Sequence, residues 1–263
     1  MNSPYGSIWR KWDFHVHTPY SILNNKFGCN AEEPKDFDKY VQVLFSKALE
    51  KDVYAIGITD YFSIDGYKCL KNNYLDNDEK LAELFPDEDI RHRIKEIFVF
   101  PNIELRHDTF IEGTNSGRKN IDIHVLFSNE IDPTTIEQSF LHQLTVKVSP
   151  GVQPLTHEGI EKIGKTVRED NGGKGDDYSL GLKHVSISYE EVHKLLESCD
   201  DFKDSYAVAT AVDENLAEVP WNGRDYLRRK SIYYQSNFYL TSNEATRKWA
   251  LAEGEEEDRI KEF

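Results

Sequence analysis

The 263-residue sequence predicts an α/β fold of the barrel type. Three observations point there. Apolar strand-like runs alternate with segments of helical periodicity, as strand–helix–strand units require. The runs are rich in Val, Ile and Phe with little polar alternation, the pattern of strands buried on both faces. Four of them carry histidine or carboxylate side chains at or near their ends, and a barrel gathers such residues at the C-terminal rim of its strands.

The first run is Trp12-Asp13-Phe14-His15-Val16-His17, closed by Thr18-Pro19. Residues i and i+2 of a strand share a face, so His15 and His17 project together. Two neighbouring neutral imidazoles can hold one divalent ion. The bland alternative is one core and one surface histidine. After a polar loop over 24–35, Phe37, Tyr40, Val41, Leu44, Phe45, Ala48 and Leu49 fall at helical spacing. That helix feeds a second strand over 53–61, which finishes in Asp60 and Tyr61. Short helices are expected near Gly66 and over 78–85. A third strand runs from Ile97 to Glu104, with His107 three residues on. Ser116-Gly117-Arg118 marks a hinge to the fourth, Ile121 to Phe127, where Asp122 and His124 share a face.

Pro133 suits a first helical turn, and its helix is expected to reach about Leu144. Two more helices are expected over 155–169, with Thr156 as cap, and from Ser188 to about Ser198. The loop Asn171-Gly172-Gly173-Lys174-Gly175 between them lacks the strand and the lysine–hydroxyl pattern of a phosphate-binding loop. His157, His184 and His193 lie in this region as possible substitute ligands, each more readily read as a surface or capping residue. A late apolar strand, Tyr206 to Val212, ends at Asp213. The run containing Arg224, Arg228 and Arg229, followed by Tyr233 and Tyr234, could bind phosphate and stack bases, or form a solvated helix face.

A net charge of −15 and a pI near 5.1 argue against a broad basic surface for duplex DNA, though not against a short nucleic-acid end. The three cysteines form an odd set without C-x-x-C spacing, which suits reduced thiols. The polar N-terminus has no signal-peptide core, and no run approaches the ~18 apolar residues of a membrane span. A soluble, cytoplasmic protein is expected.

In order, D-F-H-V-H-T-P-Y-S, G-I-T-D-Y, N-I-E-L-R and I-D-I-H-V-L resemble the motif series of the PHP (polymerase and histidinol phosphatase) superfamily. The resemblance covers roughly residues 6–127. It implies a distorted (β/α)7 barrel that binds two or three metals and hydrolyses phosphoesters. The segments around Gly6–Asp13 and Ser21–Gly28 are similar to the N-terminal PHP domain of TrlF-type proteins, which is fused to an SMC/ABC-like ATPase. Residues 1–263 would then be one PHP-like domain of a longer protein, with that ATPase as partner. The resemblance assigns His15, His17, Glu104 and His124 as metal ligands, Glu104 bridging two ions. It places Asp13 and Asp122 behind the ligands, with Asp13 accepting from a histidine ring, and puts Asp60 and Tyr61 beside the reaction. Arg224, Arg228 and Arg229 are candidates for holding phosphate.

Two departures from the family pattern matter. Tyr61 stands where three-metal members carry histidine, and a phenol with a pKa near ~10 is a poor ligand. Two divalent ions (Mn, Zn or Fe) are therefore expected, and Tyr61 either donates to a phosphate oxygen or packs beside Phe62. The late D-x-H motif is also missing, which suggests an incomplete barrel, or a divergent one that uses a residue such as Asp213 instead. The expected chemistry is two-metal activation of a water against a nucleotide or nucleic-acid phosphate. A histidinol-phosphatase-like enzyme for small molecules and a degenerate module regulating a fused ATPase are the alternatives. If the barrel is incomplete, a longer chain should hydrolyse phosphoesters much faster than these 263 residues, and equal rates would refute that expectation.

Overall fold

The computed structural model describes residues 9–22, 27, 36–113, 117–148, 151–171, 174–211, 226–242, 244, 247–248 and 251. The chain divides into two compact units, Met1–Ile103 with Phe127–Gln138, and Glu104–Leu126 with Ser139–Phe263. Strands and helices alternate along both. The fold is α/β, as the sequence predicts.

In the first unit β1 (Lys11–His17) leads through α1 (Phe37–Glu50) to β2 (Val53–Tyr61). The connection is long enough for a crossover, and β1 and β2 are parallel neighbours. Asp13 faces Ile56 and His17 faces Thr59, with the ladder slipping between Asp13 and Val16. The apolar stripe of α1 buries Phe37, Tyr40, Val41, Phe45 and Ala48. β2 is buried from Ala55 to Asp60. Gly57 lets the strands approach, because a Cβ there would lie 2.4 Å from the Phe14 carbonyl oxygen.

Beyond β2 come α2 (Asp65–Leu70), one π-helical turn at Lys71–Leu75, α3 (Asp78–Leu84) and α4 (Glu88–Lys95). Asn77 caps α3 by accepting from the Lys80 amide, and Asp87 caps α4 through the Asp89 and Ile90 amides. Strand β3 (Phe98–Gly113) begins in this unit and completes the order β1–β2–β3. Helix α5 (Pro133–Ser139) returns to it, and its Glu137 meets Lys68 at 2.9 Å.

The second unit holds the rest of β3 and β4 (Gly117–Phe127). The third strand does not stop at Glu104 but continues to Gly113. After α5 the helix expected to reach Leu144 tightens into a 3₁₀ turn at Leu141–Gln143. A hairpin of β5 (Thr145–Val148) and β6 (Gly151–Pro154) follows. Helices α6 (His157–Asn171) and α7 (Asp177–His184) come next, then α8 (Tyr189–Ser198) with Ser188 accepting from the Glu191 amide. β7 (Tyr206–Ala211), α9 (Tyr226–Tyr234) and β8 (Phe238–Leu240) form a second parallel crossover. Strand order here is β3–β4–β7–β8. No helix among the described residues is long and apolar enough to cross a membrane.

Gly57→Ala should force β1 off β2. The expected cost is about 1–3 kcal/mol, in line with overpacked sites, measured as a lower urea midpoint with unchanged slope.

Candidate metal centre

The end of β1 brings the two imidazoles together. His15 Nε2 and His17 Nε2 lie 3.0 Å apart, with ring centroids at 4.8 Å. Tyr61, at the end of β2, stacks on His17 at 5.5 Å with the planes 20° apart. That contact decides between the two readings of Tyr61 only in part: it packs against a candidate ligand as well as tilting toward Phe62 at 6.2 Å. Asp13 accepts from the backbone amide of His15 at 3.4 Å.

A polar contact accompanies the slip in the β1–β2 ladder. Asn102 of β3 donates to the Phe14 carbonyl at 2.6 Å and to Thr59 Oγ1 at 3.0 Å. A side-chain amide thus bonds a backbone carbonyl at the irregular point of the ladder. Asn102 itself is 1% exposed, and its amide is satisfied by these partners.

Asp60 does different work from Tyr61. Successive strand residues face opposite ways, so Asp60 turns away from the face that carries Tyr61. Its carboxylate accepts from the Thr18 amide at 3.2 Å, the Thr18 hydroxyl at 2.8 Å and the Gly66 amide at 3.1 Å. These bonds tie the turn after β1 to the first turn of α2, next to His17. Asp60 thereby positions the backbone next to His17. Burial pushes its carboxyl up to about 8, against the pull of the three donors. The next residue, Phe62, is 3% exposed and has φ of 54°, in the left-handed region.

In the second unit Glu104 and His124 are both buried, with Glu104 Oε1 at 3.9 Å from His124 Nε2. Arg106 Nε lies 4.0 Å from Asp122 Oδ1. The pairs 104–124 and 106–122 advance in opposite chain directions, so β3 and β4 run antiparallel here. Arg106 also donates to the carbonyls of Leu182 and Lys183, at 3.3 and 2.9 Å. Its polar neighbours read as loop in the sequence, yet they are held inside a strand by partners distant in the chain.

His107 faces the other side of β3 from Glu104. It joins Tyr189 and His193 around a cleft of about 900 Å³, with ring centroids at 5.3 Å (His107 to Tyr189) and 4.5 Å (Tyr189 to His193). Burial lowers the pKa of both histidines, which favours their neutral forms. His157 stacks on Tyr178 at 4.1 Å and His184 sits in the last turn of α7. Asp213 and Arg224 fall outside the described residues, as do the side chains of Arg228 and Arg229.

Thr18, Thr59 and Asn102 are the site residues that sequence reasoning missed. The signal for Asn102 was one amide inside an apolar run, and for Thr18 a hydroxyl directly after the second histidine.

Comparison with known proteins adds distant likenesses. No family model matches the chain, and no curated protein does. One solved structure that resembles it is a protein from Bifidobacterium adolescentis assigned as a metal-dependent phosphoesterase. Identity is 11% and the TM-score 0.36, over 88% of this chain and 76% of that one. Another is an amidohydrolase from Chromobacterium violaceum, solved with bound sulfate and no metal. There identity is 12% and the TM-score 0.41, over 87% and 76% of the two chains.

Because the folded Asp60 carboxyl holds its proton up to about pH 8 and an unfolded one releases it near ~4, this group's contribution to stability falls as pH rises through that window. Asp60→Asn should therefore be less destabilising at pH 8 than at pH 5, relative to the parent, in urea titrations at the two values. An equal difference at both would show that Asp60 is ionised throughout.

Proposed function

We propose that the chain is a metal-dependent phosphoesterase acting on nucleotides or nucleic-acid ends, with divalent ions held by His15, His17, Glu104 and His124. The observation that carries the reading is the pair of Nε2 atoms 3.0 Å apart. Two zinc–imidazole bonds of about 2.0–2.1 Å at a tetrahedral angle put their nitrogens about 3.3 Å apart. A hydrogen bond between one protonated and one bare nitrogen would give a similar spacing, so the donor set must decide.

That set favours a cation. The motif resemblance adds Glu104 to His15 and His17 as a third donor. Glu104 follows Asn102 by two residues, and the period of a strand sends both side chains to one face. A carboxylate buried to 3% exposure is least costly when positive charge meets it. Mixed imidazole and carboxylate donors suit Zn, Mn or Fe. When bound, such ions supply acidity to a water and offset charge on the phosphate oxygens.

The chain's own residues orient and hold. Tyr61 fixes the plane of the His17 ring by stacking on it. Asn102 and the amide-to-Asp13 bond set the backbone from which both imidazoles extend. Neither imidazole can bind an ion while its donor nitrogen is protonated, so acid should weaken binding.

Chain incubated with Mn or Zn should retain metal after desalting and hydrolyse bis(4-nitrophenyl) phosphate. His17→Ala should lose metal, measured by mass spectrometry, and lower the rate by about 100-fold or more, at least matching the loss seen when a supporting residue of a metal site is removed. Undiminished hydrolysis in His17→Ala would remove this mechanism.

A further inference from the structure

β1 is held differently from its neighbour. Every residue of β2 from Ala55 to Asp60 is buried. In β1 none is: Lys11, Trp12, Asp13 and His15 are exposed, and Phe14, Val16 and His17 half-buried. The ladder to β2 is also broken twice, between Lys11 and Trp12 and between Asp13 and Val16. In place of a buried face, β1 has point anchors. Asn102 and Thr59 donate to the Phe14 carbonyl, and Lys11 Nζ donates to the Lys51 carbonyl at 2.9 Å. The Phe14 ring meets Phe100 edge-on at 5.1 Å. Segments with few buried apolar groups open locally at a lower cost than the whole domain unfolds. Both imidazoles of the proposed metal site ride on this strand, while the proposed donors Glu104 and His124 belong to β3 and β4. An ion shared among them cannot keep all its ligands when β1 lifts away.

We propose that β1 is a metal-latched strap: it lifts from β2 without global unfolding, and the ion held by His15 and His17 locks it down. The inference rests on the metal-binding part of the phosphoesterase reading and names how that site is regulated. Linkage gives it a magnitude. An ion that binds only the closed strand lowers the opening constant about 100-fold when its free concentration is about 100 times Kd. The polar anchor at Phe14 and the ion bias one equilibrium, so weakening the anchor raises the opening that the ion must suppress. Loading then orders the ligand strand as well as supplying charge. Metal supply thereby sets whether the site is assembled at all.

Hydrogen exchange of the full 263-residue chain, read by mass spectrometry on peptides spanning 11–17 and 53–61, tests this. Without metal, the β1 peptide should exchange faster than the β2 peptide and respond less to low urea, because a local opening exposes little surface. Zn at about 100 times its calorimetric Kd should slow the β1 peptide about 100-fold. Asn102→Leu keeps the volume and removes the donor. It should speed metal-free β1 exchange about 5- to 50-fold, as expected when a buried carbonyl loses its partner. Thr59→Val should speed it about 2- to 5-fold, and carries the test if Asn102→Leu folds poorly. Ile94→Val, a fully buried change in α4, should speed the β2 peptide and leave β1 unchanged. Zn that binds without slowing β1 would overturn the inference and leave the phosphoesterase reading standing. So would β1 and β2 peptides that exchange together in the metal-free parent, or that Ile94→Val speeds equally. If calorimetry finds neither Mn nor Zn bound by the parent, the metal reading itself fails and the latch with it.

Discussion

The close approach of β1 to β2 at Phe14 is the constraint on which the candidate site depends. β1 is an outer strand with an exposed or half-buried residue at every position, so burial alone holds it weakly. Its place is set instead at one carbonyl. Gly57 leaves room beside the Phe14 oxygen, and Asn102 donates to it. The ladder slips around this carbonyl, between Asp13 and Val16, and the Nε2 atoms of His15 and His17 lie 3.0 Å apart. A polar pin does here what a hydrophobic face does elsewhere in the unit. Pinning is also directional, which burial is not.

Asp60 extends the same economy. A carboxylate at a strand end in such a protein invites a reading as ligand or base. Its three donors come from the turn after β1 and from the start of α2, so its carboxyl organises backbone. The proposal draws its metal donors from the imidazoles, Glu104 and His124. The cost is a buried acid whose proton is hard to remove. Such a group is tolerated because the donors that surround it would themselves be orphaned without it.

Much of this was legible in the sequence, and the reasons for the rest are physical. The H-x-H spacing, the α1 stripe and the Ser188 cap follow from local periodicity and hydrogen-bonding chemistry, and all three are found. Strand β3 was cut short because Arg106, His107 and Asp108 look like loop. Arg106 is held by the carbonyls of Leu182 and Lys183, and the His107 backbone bridges to Ile187, contacts that no local window contains. The β5–β6 hairpin has a local signal, alternating Thr145-Val146-Lys147-Val148 before Pro150-Gly151. Helix α4 was missed for the opposite reason: its Glu88–Lys95 sequence is so polar that little periodicity survives, and Asp87 was the better guide. The direction of β4 is not legible in the sequence, since a strand has the same period in either direction until the cross-strand pairs are seen.

Phe62 ties these themes together. A phenylalanine in left-handed backbone carries a steric penalty of roughly 1–2 kcal/mol that glycine or asparagine would avoid. Its ring recovers that and more by being buried at 3% exposure. The corner after Tyr61 is thus bistable in the evolutionary sense: easing the backbone by substitution also discards the anchor that fixes the corner. Drift at position 62 should accordingly be constrained from both sides, and the ring that stacks on His17 inherits its stillness from a residue that touches no ligand.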